Sequence, residues 1–181
     1  MAFDLTNSEL VDVIDESDQI IETRELEFCT RFGLLHRAIS VFVKSPDAKI
    51  YLQQRSNNDD WLPGLWTASC TGHVKAGESP DQAAKRELEE ELGLGCLPVY
   101  LFKFLAPRIE SGARVEYEMN YVYECTAVED PVIDRREVEQ MKLLSIEECS
   151  AFFATKRNEI TPDSIVAYEK FCELISSREA S

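Results

Sequence analysis

Paired cysteines are missing from this chain. Cys29, Cys70, Cys96, Cys125, Cys149 and Cys172 lie far apart with no CxxC among them, so a thiolate zinc site is not expected. Long apolar runs are missing too. None reaches the roughly 18 residues that span a bilayer, so no membrane partner is expected. The first residues, "MAFDLTNSELVDVIDESD", lack a basic stretch followed by an apolar one. No export signal is read there, and free thiols in a reducing cytoplasm are the simplest account of the cysteines. Histidine is scarce: His36 and His73 are the only two. Basic residues are in deficit, 19 against 34 acidic ones, for a net charge of −15. A long nucleic acid needs a basic surface that releases counterions, so the charge argues against that partner. A small anion held through a divalent cation remains compatible with it. Internal repeats and low-complexity tracts are not seen.

What is present suits one globular domain, residues 1–181, with a core at about 35–148. An N-terminal β extension precedes that core and a C-terminal helix follows it. Hydrophobic residues make up 44% of 181, enough for an ordinary core. "ELVDVIDESDQII" reads as two short strands about a turn at Glu16, Ser17 and Asp18. "TRELEFCTRF" reads as a short helix. "HRAISVFVKS" and "IYLQQRS" form a hairpin across "PDAK", and "NNDDWLPGLW" is a loop broken at Pro63-Gly64. "LPVYLFKFLA" is a strand. "ARVEYEMNYVYECT" is a long alternating strand, with Val115, Tyr117, Met119, Tyr121 and Tyr123 on one face and Glu116 and Glu118 on the other. "SIEECSAFFATK" and "TPDSIVAYEKFCELISS" are helical, the second with Thr161 as N-cap and Pro162 at its first position. Mixed strands and helices point to an α+β chain or a mixed-sheet sandwich rather than a doubly wound fold.

One stretch carries chemistry: "GHVKAGESPDQAAKRELEEELGL", Gly72 to Leu94. Ser79 is a good N-cap, Pro80 suits the first helical position, Gln82 completes a capping box, and Gly93 is a C-cap. The helix therefore runs from about Pro80 to Leu92. At about 100° per residue, Glu87, Glu90 and Glu91 share roughly one third of its circumference, beside an apolar stripe of Ala84, Leu88 and Leu92. A solvated face more often mixes its signs across the exposed side. Three carboxylates at this spacing suit hard divalent ions such as Mg2+ or Mn2+. Arg86, four residues before Glu90, is placed to orient it. Gly72 and Gly77 let the preceding loop fold back, so Glu78 can join the site.

The order Gly72, five residues, Glu78, seven residues, Arg86-Glu87-Leu88, one residue, Glu90-Glu91, one residue, Gly93-Leu94 resembles a complete Nudix box. About Leu35 to Glu148 resembles a Nudix domain. "LLHRAISVFV", "LQQRS", "LPGLWTASCTGHVKAGES" and "VEYEMNYVY" resemble the branch holding type 1 isopentenyl-diphosphate isomerases and their hydrolase-like relatives. The resemblance implies an α/β/α sandwich with a mixed sheet and a loop–helix–loop box. It implies a Mg2+- or Mn2+-dependent enzyme that hydrolyses a small anionic diphosphate. The implied metal ligands are Glu87, Glu90, Glu91, Glu118, His36 and His73. Glu90, Glu87, Glu116 and Arg86 are the implied catalytic group, with Glu90 favoured as general base and Glu116 and Glu118 as rivals. Arg55, Glu78 and Gly72 are implied on the substrate side.

His36 and His73 also fall where the isomerases hold metal, and Glu116 and Glu118 match their ExE pair, of which one glutamate binds metal and the other does acid–base work. Four positions depart from the isomerase pattern. Thr71 stands where its cysteine precedes Gly-His, and Cys70 is one residue early, which on an extended segment is the opposite face. Cys29 stands for a metal histidine. "SNNDDWL" lacks the expected lysine. Glu87 replaces an arginine, and Glu90 is a hydrolase residue. A hydrolase is therefore expected, with an isomerase-like enzyme and a non-catalytic binding module as alternatives. The segments outside the box are assigned to specificity or to a homodimer interface.

Overall fold

The computed structural model describes residues 9–179. Residues 1–8, which hold much of the segment read for an export signal, lie outside the described residues. The chain runs β1 (Leu10–Ile14), β2 (Ile20–Glu25), α1 (Leu26–Phe32), β3 (His36–Lys44), β4 (Ile50–Arg55), β5 (Trp66–Thr67) and β6 (Cys70–His73). Then come α2 (Pro80–Leu92), β7 (Val99–Leu105), β8 (Ile109–Ser111), β9 (Arg114–Glu116), β10 (Glu118–Thr126), β11 (Val138–Leu144), α3 (Ile146–Thr155) and α4 (Pro162–Glu179).

Among the described residues, nine strands join in one mixed sheet, while β8 and β9 form a separate hairpin. At the centre, β3 pairs in parallel with β10 over its full length, Glu118 opposite His36 and Thr126 opposite Lys44. Its other edge meets β6. Alternation along β3 explains the layers. Ile39, Val41 and Val43 point to one face and pack with Ala84, Leu88 and Leu92 of α2. Phe42 points to the other face, where Tyr168 and Phe171 of α4 and Phe153 of α3 close over it. Burying Leu88 and Leu92 fully contributes about 1.5–3 kcal/mol each. Helices on both faces make the expected α/β/α sandwich with a mixed sheet.

Several expectations change in detail. The hairpin of β3 and β4 pairs only at its turn, Lys44 opposite Ile50. Beyond that the strands part, because β6 takes the β3 edge and β5 takes the β4 edge. The long strand divides at Tyr117, whose carbonyl accepts from the His36 N–H at 3.2 Å. β9 then belongs to the hairpin and β10 to the main sheet. Strand β11 was not foreseen; "VEQMKLL" mixes polar and apolar residues without a clear period, and pairing with β4 decides its conformation. The C-terminal helix also builds the core, with Tyr168 and Phe171 buried. All six cysteines are free thiols. No described helix is long and apolar enough to cross a membrane.

Candidate active site

Helix α2 is anchored as its sequence demands. Ser79 and Gln82 form a reciprocal capping box, and Gly93 takes a left-handed conformation with φ 63°. Such a cap contributes about 1 kcal/mol. Leu88 and Leu92 hold the helix on the sheet, and that sets the depth of their neighbours. Glu87 and Glu91 are buried, Glu91 to 5% exposure, whereas the Glu90 side chain is 54% exposed.

The end of α2 brings in a third carboxylate. The N–H groups of Val132 and Asp134 donate to the carbonyls of Leu92 and Glu91, both at 2.8 Å. This segment delivers Glu137 to Glu87 and Glu91, with ligand oxygens within 4.8 Å of one another. Glu137 is one of the residues sequence reasoning missed, since it belongs to no motif and lies just before the unforeseen β11. Glu90 stands outside this trio and accepts from Arg86 Nη1 at 3.1 Å. Burial pushes Glu87 up to about 7, against the pull of Arg86. Burial, with Glu87 and Glu137 adding to it, pushes Glu91 up to about 8. Buried like charges of this kind are relieved by protons, as these shifts register, or by a shared cation.

Arg86 is the hub. Its Nε donates to Glu78 Oε1 and its Nη2 to Glu78 Oε2, both at 2.9 Å, and Nη1 donates to Glu87 at 2.5 Å. Glu78 therefore serves chiefly to hold Arg86. Nη2 also reaches the His73 carbonyl at 3.0 Å, tying α2 to β6. Gly72 on β6 is required by close approach. A Cβ there would lie 2.3 Å from Cδ and Oε1 of Glu87.

A second cluster joins His36, His73, Glu116 and Glu118, again with ligand atoms within 4.8 Å. His36 Nδ1 lies 2.9 Å from the Leu34 carbonyl. A carbonyl only accepts, so Nδ1 carries the proton and Nε2 presents a lone pair. That lone pair faces Glu116 Oε2 at 3.5 Å, and both atoms are buried without a hydrogen-bond partner. Two acceptors facing each other need a proton or a cation between them. An imidazole whose other nitrogen donates to a backbone carbonyl is the usual posture of a metal ligand. Burial opposes charge on His73, but Glu116 and Glu118 outweigh it and hold the imidazole up at about 10. Burial would raise Glu116, yet a proton shared with His36, the charged His73 and Arg114 hold its carboxyl well below the usual range. Arg114, also missed, donates to Glu116 Oε1 at 2.7 Å and fixes its rotamer.

Both clusters open on one cavity of about 360 Å³. That is the size of a small-molecule site. Arg55 lines it, with Nη2 on Asp59 at 2.6 Å and Nε on the Trp61 carbonyl at 2.9 Å. Thr71 lines it as well. Cys70 does not; it is fully buried beneath α2, and burial pushes its thiol up.

From α4, Asp163 also lines the cavity. Burial, helped by Glu118 and opposed by Thr161 and Arg55, pushes its carboxyl up to about 6. An acid raised on folding binds more protons in the folded than in the unfolded chain between about pH 4 and 6, so stability falls as pH rises through that window. Asp163→Asn is expected to leave stability unchanged near pH 4 and to raise it by roughly 1–3 kcal/mol at pH 7. Urea unfolding at both pH values checks this; equal gains at both would refute it.

A box helix anchored by caps, with carboxylates and imidazoles around one cavity, defines the Nudix class. A NUDIX domain model matches residues 34–166. The chain is 32% identical over 138 residues to isopentenyl-diphosphate Delta-isomerase 2 of Photorhabdus laumondii subsp. laumondii, covering 76% of this chain and 78% of that one. It is 30% identical over 180 residues to the uncharacterized Nudix hydrolase YfcD of Salmonella typhi, covering 98% and 92%. Among solved structures, DR0079 from Deinococcus radiodurans has a TM-score of 0.69 at 18% identity, covering 88% of this chain and 95% of that one. That likeness speaks for the fold alone. The chain belongs to the NUDIX domain family, as an enzyme of the phosphoanhydride-hydrolase type.

Proposed function

We propose that this protein is a divalent-metal-dependent Nudix hydrolase that cleaves a diphosphate linkage in a small substrate. The observation that carries it is the trio of buried Glu87, buried Glu91 and exposed Glu137, an all-oxygen donor set at the wall of the cavity. Such a set fits Mg2+ or Mn2+. His36, His73, Glu116 and Glu118 offer two nitrogens and two carboxylates, a mixed set that suits a divalent transition-metal ion better than Mg2+. When bound, these ions supply charge neutralisation for the diphosphate and acidify a coordinated water. Arg86 holds Glu87 and Glu90 at the rim. Glu90, the exposed member, is the group proposed to take a proton from the attacking water. Arg55 contacts a phosphate.

The convergence of His36, His73, Glu116 and Glu118 supports a second reading, prenyl-diphosphate isomerisation. Against it, no cysteine lines the cavity among the described residues. The test is incubation with Mg2+ or Mn2+ and a panel of nucleotide sugars, dinucleoside polyphosphates, nucleoside triphosphates, and isopentenyl and dimethylallyl diphosphates. Products are read by mass and by phosphorus and proton NMR. The expected result is cleavage of a phosphoanhydride bond. Interconversion of the two prenyl diphosphates without phosphate release would overturn the hydrolase. Tight binding in Mg2+ without any turnover would support a binding module instead.

A further inference from the structure

The inner wall of the cavity carries a feature that metal binding does not use. Glu118 and Asn120 share one face of β10, so Asn120 continues inward from the second cluster. Asn120 is 2% exposed, lines the cavity, and its Oδ1 has no hydrogen-bond partner. Gln53 on β4 repeats the pattern. It is 2% exposed, its Nε2 donates to Glu91 Oε2 at 3.3 Å, and its Oε1 is left without a partner on the same cavity. The Glu91 carboxylate fixes that orientation, because a flipped amide would set oxygen against oxygen. Asp163, at the start of α4, adds a carboxylate to this lining. The wall is thus rich in acceptors. A buried acceptor without a donor is a standing cost that only an arriving donor relieves.

We infer that Asn120, Gln53 and Asp163 form a specificity subsite for a substrate moiety rich in O–H and N–H donors, such as a sugar or nucleoside, and that they exclude prenyl chains. An alkyl chain entering here would leave both amide oxygens dry and unpaired, and would strip water from an Asp163 carboxylate that keeps only a 3.4 Å contact from Ser164 Oγ. A hydroxyl or amino group would satisfy them while its diphosphate lies toward the two acidic clusters. The inference rests on the reading of the substrate as a diphosphate, and it names which diphosphates.

The test compares UDP-glucose and ADP-ribose with dimethylallyl and geranyl diphosphates. Hydrolysis is measured with Mg2+, and binding is measured separately by calorimetry with Ca2+. The donor-bearing compounds are expected to lead by about 100-fold or more in kcat/KM, the scale on which hydrogen-bonding sites reject apolar substitutes. Asn120→Leu, of similar size, is expected to lower the kcat/KM ratio of the better donor-bearing compound to inorganic tripolyphosphate by about 10-fold. Asp163→Ala carries the same readout should the leucine variant not fold. A 2′,3′-dideoxynucleotide and an inosine nucleotide show whether hydroxyl or amino donors are read. Prenyl diphosphates that bind and react as well as the others would overturn the subsite, as would an unchanged ratio in both variants. If nothing is hydrolysed but donor-bearing diphosphates still bind preferentially, the hydrolase reading fails and the subsite stands.

Discussion

Glu91→Gln is expected to lower metal-dependent hydrolysis by at least about 100-fold, since even outer partners of metal ligands cost 10- to 100-fold when removed. The residue is nearly fully buried and sits with Glu87 and Glu137. It also receives hydrogen bonds from Gln53 Nε2 at 3.3 Å and from the Thr71 N–H at 3.4 Å. An amide keeps the shape and loses the charge that a hard cation needs. Because the charge is buried beside others of its sign, removing it should not weaken the metal-free fold. Calorimetric melting checks both halves. Metal-free Glu91→Gln should melt at or above the wild-type temperature, and its rise on adding Mg2+ should disappear. Wild-type turnover, or a fold that collapses without metal, would remove Glu91 from the site.

Gly72→Ala is the second large effect, and it combines activity with stability. The added methyl would overlap Cδ and Oε1 of Glu87, both at 2.3 Å, so that side chain, buried and held by Arg86 Nη1 at 2.5 Å, must shift. Overpacking of this kind costs about 1–3 kcal/mol. In a domain this size that lowers the melting temperature by roughly 2–12 °C. The displaced carboxylate matters more, since misplacement by about 1 Å can cost 100-fold in rate. Loss of metal affinity together with turnover is therefore expected, measured by Mg2+ titration of activity. A variant that melts lower yet keeps its Mg2+ dependence would show that β6 yields and Glu87 does not.

Legibility in the sequence followed locality. The box helix was readable to its ends because Ser79, Pro80, Gln82 and Gly93 act on their own neighbours, and its buried and exposed glutamates follow from the stripe of Leu88 and Leu92. Glu116 and Glu118 were readable as a pair because alternation places them together, although the break at Tyr117 was not, since it depends on which partner strand each half finds. Glu137 was hidden for a different reason. Its place beside Glu91 is set by backbone hydrogen bonds from Val132 and Asp134 to the end of α2, which no spacing within "EDPVIDRREVEQ" announces. Arg86 was expected to orient Glu90, and it does so at 3.1 Å. Its bidentate hold on Glu78 needed the loop to fold back first.

The parallel pairing of β3 with β10 also bears on when the site comes into being. Helix α2 and its caps can form early, from contacts within a few turns. His36 and Glu118 face each other only after two strands from distant parts of the chain have aligned, with β6, α2 and β7 already threaded between them in sequence. Such non-local closures are the slow events of folding. The histidine–glutamate cluster is thus a late product of the fold and cannot serve as its nucleus. On the proposed reading of this cluster as a metal site, ion uptake would mark chains that have completed the sheet, and a refolding protein should regain its helix signal well before it binds added Mn2+.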